Sequence, residues 1–208
     1  MKSDVFNVEL ERITDDKIRE STKYILNNLP DYFYEVPASS SGKYHPVFSL
    51  GKGGLVRHVK VAERIAEEYF KDEVFCPFDD HKKDLIRMAI LLHDGFKSGL
   101  EYSMHTVVEH PLLMSKYILE NIDKLSISVD DVKDVARMIS THMGPWVNDR
   151  KGNKVLPKPE KEDELFVHNC DYIASRNFLN VSFLNNAIVD SVERDKVKKY
   201  ERDKMPKL

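Results

Sequence analysis

Apolar residues recur at the spacing of an α-helix in at least six segments of this chain. Such a stripe gives each helix one face to bury, so several helices must pack around a shared core. The signals for strands are weak by comparison. The sequence therefore predicts an all-α fold, an irregular helical bundle that occupies residues 1–208 as one domain. The predicted helices span about 14–29, 54–70, 82–94, 111–121, 128–142 and 161–177.

Three further segments carry their own expectations. Residues 30–53 are rich in proline, glycine, serine and aromatic residues, which predicts a packed, functional loop. Residues 146–147 and 155–156 are expected to pair as a small hairpin. A last helix is expected to begin near Ser182 and to end in a charged, solvated tail over about 190–208.

Composition limits the kinds of partner. The 32 lysine and arginine residues against 35 aspartate and glutamate residues give a net charge of −3, which predicts neither a nucleic-acid backbone nor an anionic membrane as the main partner. No apolar run approaches the ~18 residues of a membrane-spanning helix, and no secretory signal is visible. Cys76 and Cys170 lie far apart and outside any CxxC pair, which favours reduced thiols and a cytoplasmic location.

Histidine is the residue type that indicates chemistry. His93 and Asp94 end an apolar helix, so both side chains can turn toward one point. His58, His110 and His142 also lie on apolar helical faces or at helix ends. Each buried histidine without a metal would need a hydrogen-bond partner of its own, which makes a purely structural role for all four costly. Imidazole and carboxylate together suit Mn, Fe, Zn, Co or Ni, whereas Mg prefers oxygen ligands alone.

The combination resembles a known family. The order His58, His93-Asp94, Asp171 is similar to the H…HD…D motif of the HD-domain metal-dependent phosphohydrolases, and the likeness covers about residues 40–178. The likeness is carried by Gly53–His58, Leu91–Lys97, His110, Ile139–His142 and Asp171–Arg176. The last three of these resemble additional positions of the two-metal members of the family, especially the bacterial hydrolases of symmetrical dinucleoside polyphosphates.

The resemblance implies two divalent transition-metal ions. Asp94 would be the ligand that bridges them, and it would also be a catalytic residue. Two such ions can hold a hydroxide as nucleophile and bind the oxygens of an in-line displacement. Lys97 would be the second catalytic residue, binding a non-bridging phosphate oxygen. The other ligands would be His58, His93 and Asp171 in the first site, and His110 and His142 in the second.

Five residues are predicted to bind substrate. Ser41, Lys43 and His45 belong to a serine-rich segment whose backbone N–H groups could cradle a phosphate, with a flexible turn as the equal alternative. Arg57 and Arg176 lie close in sequence to ligand positions and could reach a leaving phosphate, although arginines in such places more often form surface ion pairs.

Together these features predict a phosphohydrolase that cleaves a phosphoester or phosphoanhydride bond of a small-molecule nucleotide. Pro37–Pro46 resembles the segment before the first histidine in the HD domains of some bacterial 3′–5′ exoribonucleases, so a nuclease acting on RNA or DNA is an alternative. A metal-bound nucleotide-sensing module without turnover is another, and an iron oxygenase on the same scaffold is a third. Trp146 is expected either to stack a base or, more commonly, to pack as a core or lid residue. The sequence indicates no membrane partner and no particular oligomeric state.

Overall fold

The computed structural model describes residues 1–72, 74 and 76–189. Within these residues seven α-helices form an irregular bundle, which confirms the all-α prediction. None of the described helices is long and apolar enough to cross a membrane. The helices are α1 Asn7–Leu10, α2 Asp16–Asn28, α3 Gly54–Tyr69, α4 Asp80–Leu92, α5 His110–Glu120, α6 Val129–Thr141 and α7 Glu162–Ala174.

The core lies where α3, α4, α6 and α7 pack against one another, and α2 and α5 cover its sides. The N-terminal segment, for which the sequence predicts no element, also contributes to it. Lys2–Phe6 forms a 3₁₀ helix that leads into α1, and both Phe6 and Leu10 are fully buried. This segment is too short to show a periodic apolar stripe, so its apolar side chains indicate burial without indicating a helix.

Side-chain caps explain where three of the helices begin. Asp15, Asp79 and Ser128 each accept a hydrogen bond from a backbone N–H group in the first turn of α2, α4 and α6, respectively. The sequence predicts Thr14 as the cap of α2, but its hydroxyl group donates to Asp84 at 2.8 Å instead. For α6 the sequence predicts Ser128 as the cap, because Asp131 follows three residues later, and this prediction is confirmed.

Residues 30–53 form the packed loop that the sequence predicts, with 3₁₀ turns at Asp31–Tyr34 and Val47–Ser49. The loop closes onto the start of α3, because the N–H group of Gly53 donates to the carbonyl oxygen of Glu35 at 2.8 Å. A side chain at Gly54 would bring its Cβ atom to 2.1 Å from the carbonyl oxygen of Ser49. Glycine is therefore required where the loop presses against α3.

The segment after α7 differs from the prediction. The structure places an antiparallel hairpin there, with β1 at Phe183–Leu184 and β2 at Ala187–Ile188, so the predicted helix near Ser182 is wrong at its start. Asn185 and Asn186 connect the strands with positive φ angles of 48° and 64°. Asparagine tolerates this conformation, which a two-residue hairpin turn requires and a helix excludes.

The hairpin predicted after α6 exists only as a short pairing. The N–H groups of Val155 and Leu156 both donate to the carbonyl oxygen of Val147, at 2.8 and 3.0 Å, and Asn148 forms a single antiparallel bridge with Lys154. The charged tail predicted over about 190–208 lies outside the described residues.

Candidate metal centre

Helix α4 delivers His93 and Asp94 to the middle of the core. Its last five residues are all buried and the pair follows directly, so both side chains are fully buried too. At Gly95, an added Cβ atom would lie 2.6 Å from a methionine sulfur of α5, so only glycine permits this close packing. The hydroxyl group of Tyr32 donates to the carbonyl oxygen of Gly99 at 2.5 Å, which ties the segment after the pair to the long loop.

His93, His110 and His142 present their rings in the same way. In each of them the Nδ1 atom lies 2.7 or 2.8 Å from the backbone carbonyl oxygen three residues earlier. A carbonyl group only accepts, so Nδ1 carries a proton and Nε2 of the neutral ring keeps a lone pair. A hydrogen bond of this kind fixes the orientation of metal-binding histidines. The rings are therefore suited to bind a metal through Nε2.

The carboxylate group of Asp94 stands between two pairs of histidines. Its Oδ1 atom faces Nε2 of His110 at 3.0 Å and Nε2 of His142 at 3.7 Å. Its Oδ2 atom faces Nε2 of His93 at 3.4 Å and Nε2 of His58 at 3.8 Å. A carboxylate that offers one oxygen atom to each side has the geometry of a bridging ligand, which supports the role predicted for Asp94.

Asp171 closes the cluster from α7. Its Oδ1 atom lies 2.9 Å from Nε2 of His58 and 3.5 Å from Nε2 of His93. The side chain of Asp171 is 19% exposed, whereas those of His58 and Asp94 are 1% exposed. Asp171 therefore marks the side on which the cluster meets the solvent.

The residues present fit a metal. Nδ1 of His58, Nε2 of His93 and Oδ1 of Asp94 are buried and have no hydrogen-bond partner within the described part of the chain, a costly arrangement unless another group satisfies them. Three groups of residues could each hold an ion, because the ligand atoms within each group all lie within 4.8 Å of one another. Together the three groups contain all six predicted ligands. The groups are His58, His93 and Asp94; His93, His142 and Asp171; and Asp94, His110 and His142.

The charges of the cluster perturb one another. Burial lowers the pKa of His93, but the nearby carboxylates, above all that of Asp94, outweigh it and raise the pKa to about 10. Burial raises the pKa of Asp94, but the positive charges of Lys97 and His93 hold it well below its usual range. Burial and the charge of His93 lower the pKa of His142 to about 3. The carboxylate form of Asp94 and the neutral ring of His142, which these shifts favour, are the forms that bind a metal.

A cleft of about 230 Å³ opens onto the cluster. Lys97 and Asp171 line this cleft. The ammonium group of Lys97 lies 2.5 Å from Oδ2 of Asp94, which connects the cleft to the cluster. A larger cavity of about 640 Å³, beside Arg57 and Phe178, contains none of the candidate ligands. The smaller cleft is therefore the candidate substrate site.

Two of the five predicted substrate-binding residues, His45 and Arg176, line this cleft. The ring centroid of His45 lies 5.9 Å from that of His58, and its buried Nδ1 atom has no hydrogen-bond partner in the described region. Burial and the positive charges of His58 and Lys97 lower the pKa of His45 to about 4, so its ring is neutral at physiological pH. A neutral imidazole next to the cluster can hydrogen-bond a substrate.

The other three predicted residues, Ser41, Lys43 and Arg57, do not line the cleft. Ser41 and Lys43 are both exposed in the long loop, and the ammonium group of Lys43 lies 5.1 Å from the centroid of the Tyr44 ring. The guanidinium group of Arg57 donates to three backbone carbonyl groups of the loop and to Asn186. Arg57 thus joins the loop to the hairpin, a structural role in place of the predicted contact with a phosphate.

The structure adds cleft residues that the sequence does not mark as a set: Ser39, Thr106 and Tyr172. It also gives a position to His168, whose Nδ1 atom donates to the carbonyl oxygen of His142 at 2.7 Å. His168 lies three residues before Asp171 on α7, so helical spacing alone places it on a similar face. The irregular segments that carry Ser39 and Thr106 offer no such spacing.

An all-α core that gathers histidines around a buried Asp94 defines a helical metal-binding protein. The model of the HD domain matches residues 55–176, more than half of the chain, and this span includes all six candidate ligands. The chain therefore belongs to the HD-domain family of metal-dependent phosphohydrolases. Comparison with curated proteins and with solved structures finds no match.

Proposed function

We propose that this protein hydrolyses a phosphoester or phosphoanhydride bond of a small nucleotide with two divalent transition-metal ions. The arrangement around Asp94 carries the proposal: two histidines face each of its carboxylate oxygens, and Lys97 lies beside one of them at the edge of the cleft. Membership of the family supplies the general reaction, metal-dependent hydrolysis of a phosphate bond. The nucleotide, the pair of ions and the ligand assignment are our proposal.

The donor set supports transition metals and a pair of sites. Mixed imidazole and carboxylate ligands favour Mn, Fe, Zn, Co or Ni over Mg. Bound ions of this kind lower the pKa of water and polarise phosphoryl oxygens. In the proposed assignment one ion is held by His58, His93, Asp94 and Asp171, and the other by Asp94, His110 and His142.

Residues of the chain then bind and orient the substrate. The side chain of Lys97 is only 14% exposed, so its charge is poorly screened by water and can bind a phosphate oxygen strongly. His45 is neutral and offers its unpartnered Nδ1 atom to the substrate. Arg176 supplies a second positive charge in the cleft.

The charges of the cleft support a small nucleotide over a nucleic-acid strand. Lys97 and Arg176 are the two lysine or arginine residues among the described residues that line it. Proteins that hold a strand follow its backbone with an extended basic groove. Two cations and a net charge of −3 give too little positive charge for a tract of this kind.

The test is turnover by protein loaded with Mn²⁺. Nucleoside mono-, di- and triphosphates, dinucleoside polyphosphates and short oligonucleotides are incubated separately, and released phosphate and nucleoside are measured. We expect hydrolysis of at least one small nucleotide and a loss of about a thousandfold or more in Asp94→Asn, because this carboxylate contacts both proposed sites. Asp130→Asn, at an exposed carboxylate on α6, is the matched control and should keep full activity.

Two results would contradict the proposal. Metal-bound protein that turns over none of these compounds would favour a sensing module. Cleavage of oligonucleotides alone would favour a nuclease.

A further inference from the structure

Trp146, the single tryptophan of the chain, lies at the cleft with half of its surface exposed. It follows the C-terminal end of α6, and its ring stacks on Tyr172 of α7 with centroids 5.6 Å apart and planes 19° from parallel. Tyr172 is itself 37% exposed and lines the same cleft. We call Trp146 and Tyr172 the aromatic platform.

Neighbouring side chains hold the platform in place. The guanidinium carbon of Arg176 lies 4.2 Å from the ring centroid of Tyr172. The Nη2 group of Arg176 donates to Oγ of Ser175 at 2.7 Å, and its Nε group donates to the carbonyl oxygen of Tyr172 at 3.1 Å. The ring of His168 lies 5.9 Å from that of Trp146 and 6.0 Å from that of Tyr172. An aromatic surface fixed in this way loses little conformational entropy when a ligand stacks on it.

The platform has a defined relation to the metal cluster. Tyr172 directly follows the candidate ligand Asp171, and Trp146 comes four residues after the candidate ligand His142. The cleft therefore runs from the buried charges of the cluster to an exposed aromatic surface. A ligand that fills it needs a phosphate at one end and a flat apolar group at the other, which is the chemistry of a nucleotide.

We infer that Trp146, packed against Tyr172, stacks the base of the substrate and selects nucleotides over sugar phosphates that lack a base. This inference rests on the proposed function, because the base is taken to belong to the hydrolysed nucleotide. Stacking accepts any base, since every base has a π face. The platform thus distinguishes the presence of a base more strongly than its identity.

The single tryptophan supplies a direct measurement of binding that does not depend on turnover. The purified, metal-bound protein is titrated with AMP and with ribose 5-phosphate, which has the same phosphate and sugar without the base. We expect AMP to change the fluorescence of Trp146 in a saturable way, because the base contacts the indole ring. Ribose 5-phosphate should leave the fluorescence unchanged.

Calorimetric titration extends the test to variants. Trp146→Ala should weaken AMP binding about tenfold, within the range for one stacked base, and change ribose 5-phosphate binding less than about twofold. Trp146→Phe should restore most of the affinity, because it keeps an aromatic face. Phe178→Ala removes an exposed aromatic ring from the separate, larger cavity and should leave both affinities unchanged.

The outcomes separate this inference from the proposed function. If the protein hydrolyses p-nitrophenyl phosphate but Trp146→Ala affects AMP and ribose 5-phosphate equally, the platform is structural while the phosphohydrolase assignment stands. If AMP binds through Trp146 but no nucleotide is turned over, the platform stands and the proposed function fails. A fluorescence change with oligonucleotides and none with AMP would overturn the platform as a site for single nucleotides.

Discussion

Nε2 of His110 lies 3.0 Å from Oδ1 of Asp94, and both side chains are almost fully buried in the core. Nε2 of His142 lies 3.2 Å from the same nitrogen of His110. Both rings already use Nδ1 as a donor to the backbone, so the two Nε2 lone pairs and the carboxylate repel one another unless a proton or a cation lies between them. The proposed second metal site is the arrangement in which a cation does so.

The first prediction tests this site by metal content. Replacing both His110 and His142 with alanine should reduce bound metal from about two ions per chain to about one, because the ligands that remain near His58 form a single site. Metal is measured by mass spectrometry after loading with Mn²⁺ and removal of free ions. His81→Ala is the control, since His81 is an exposed histidine that pairs with Asp131 outside the cluster. An unchanged stoichiometry in the double variant would remove both histidines from the ligand set.

The second prediction concerns Lys97, whose ammonium group lies beside Asp94 and also lines the cleft. Lys97→Met should lower kcat about a hundredfold or more, because it removes a fixed positive charge from a site where water screens poorly. Metal content should be unchanged, because an ammonium group cannot bind a metal. Lys97→Arg should recover part of the activity. Loss of metal in Lys97→Met would instead assign this residue a role in holding the cluster together.

Sequence patterns predicted the helices, whose apolar residues recur at a regular spacing. The apolar stripe of α3 gave its limits to within one residue, since Gly54–Tyr69 is observed and 54–70 is expected. Arg57 shows where adjacency in sequence misleads. Successive residues of a helix point about 100° apart, so a neighbour of His58 need not face the same site.

Irregular segments account for the remaining differences. The prediction of a helix that starts near Ser182 was wrong because Asn185 and Asn186 adopt positive φ angles. The turn that they form overrides the weak helical periodicity of the segment. The long loop was expected to pack, but contacts such as Tyr32 with Gly99 join residues far apart in sequence. No periodic pattern reports contacts of that kind.

The third prediction tests the contact between α7 and the end of α6. Gly144 has a φ of 62°, and an added Cβ atom would lie 2.2 Å from the ring of His168, whose Nδ1 atom holds the backbone of His142. Gly144→Ala should therefore lower the free energy of unfolding by about 2 kcal/mol or more, since it adds steric overlap to backbone strain. Urea denaturation measures this change.

Gly152→Ala is the matched control for Gly144→Ala. Gly152 also has a positive φ, 87°, but a Cβ atom there would meet nothing within 4 Å. Gly152→Ala should therefore lower the free energy of unfolding by the backbone strain alone, about 1 kcal/mol. Equal losses in the two variants would show that His168 moves aside without cost and does not position His142.

The last prediction concerns Asp163, which joins the helices that carry the cluster. Its carboxylate accepts hydrogen bonds from Arg137 of α6 at 2.8 Å and from Lys82 of α4 at 3.3 Å, while its side chain is only 8% exposed. Burial raises the pKa of Asp163, but the two cations, above all Arg137, hold it below its usual value. Asp163→Asn should cost about 3 kcal/mol at pH 7, because it leaves partly buried positive charges without this partner.

The pH dependence of that cost has a defined sign. A carboxyl group whose pKa is lower in the folded protein contributes its full stabilisation above the unfolded value, about 3.9, and loses it as the pH falls toward the folded value. The difference in unfolding free energy between the wild type and Asp163→Asn should therefore be constant from pH 7 to about pH 5 and shrink below about pH 4. Asp134 also has a lowered pKa, but it titrates in both proteins and its direct contribution largely cancels from the difference. Thermal melting across this range provides the measurement, and a difference that grows in acid would mean that Asp163 is not held in its charged form by Arg137 and Lys82.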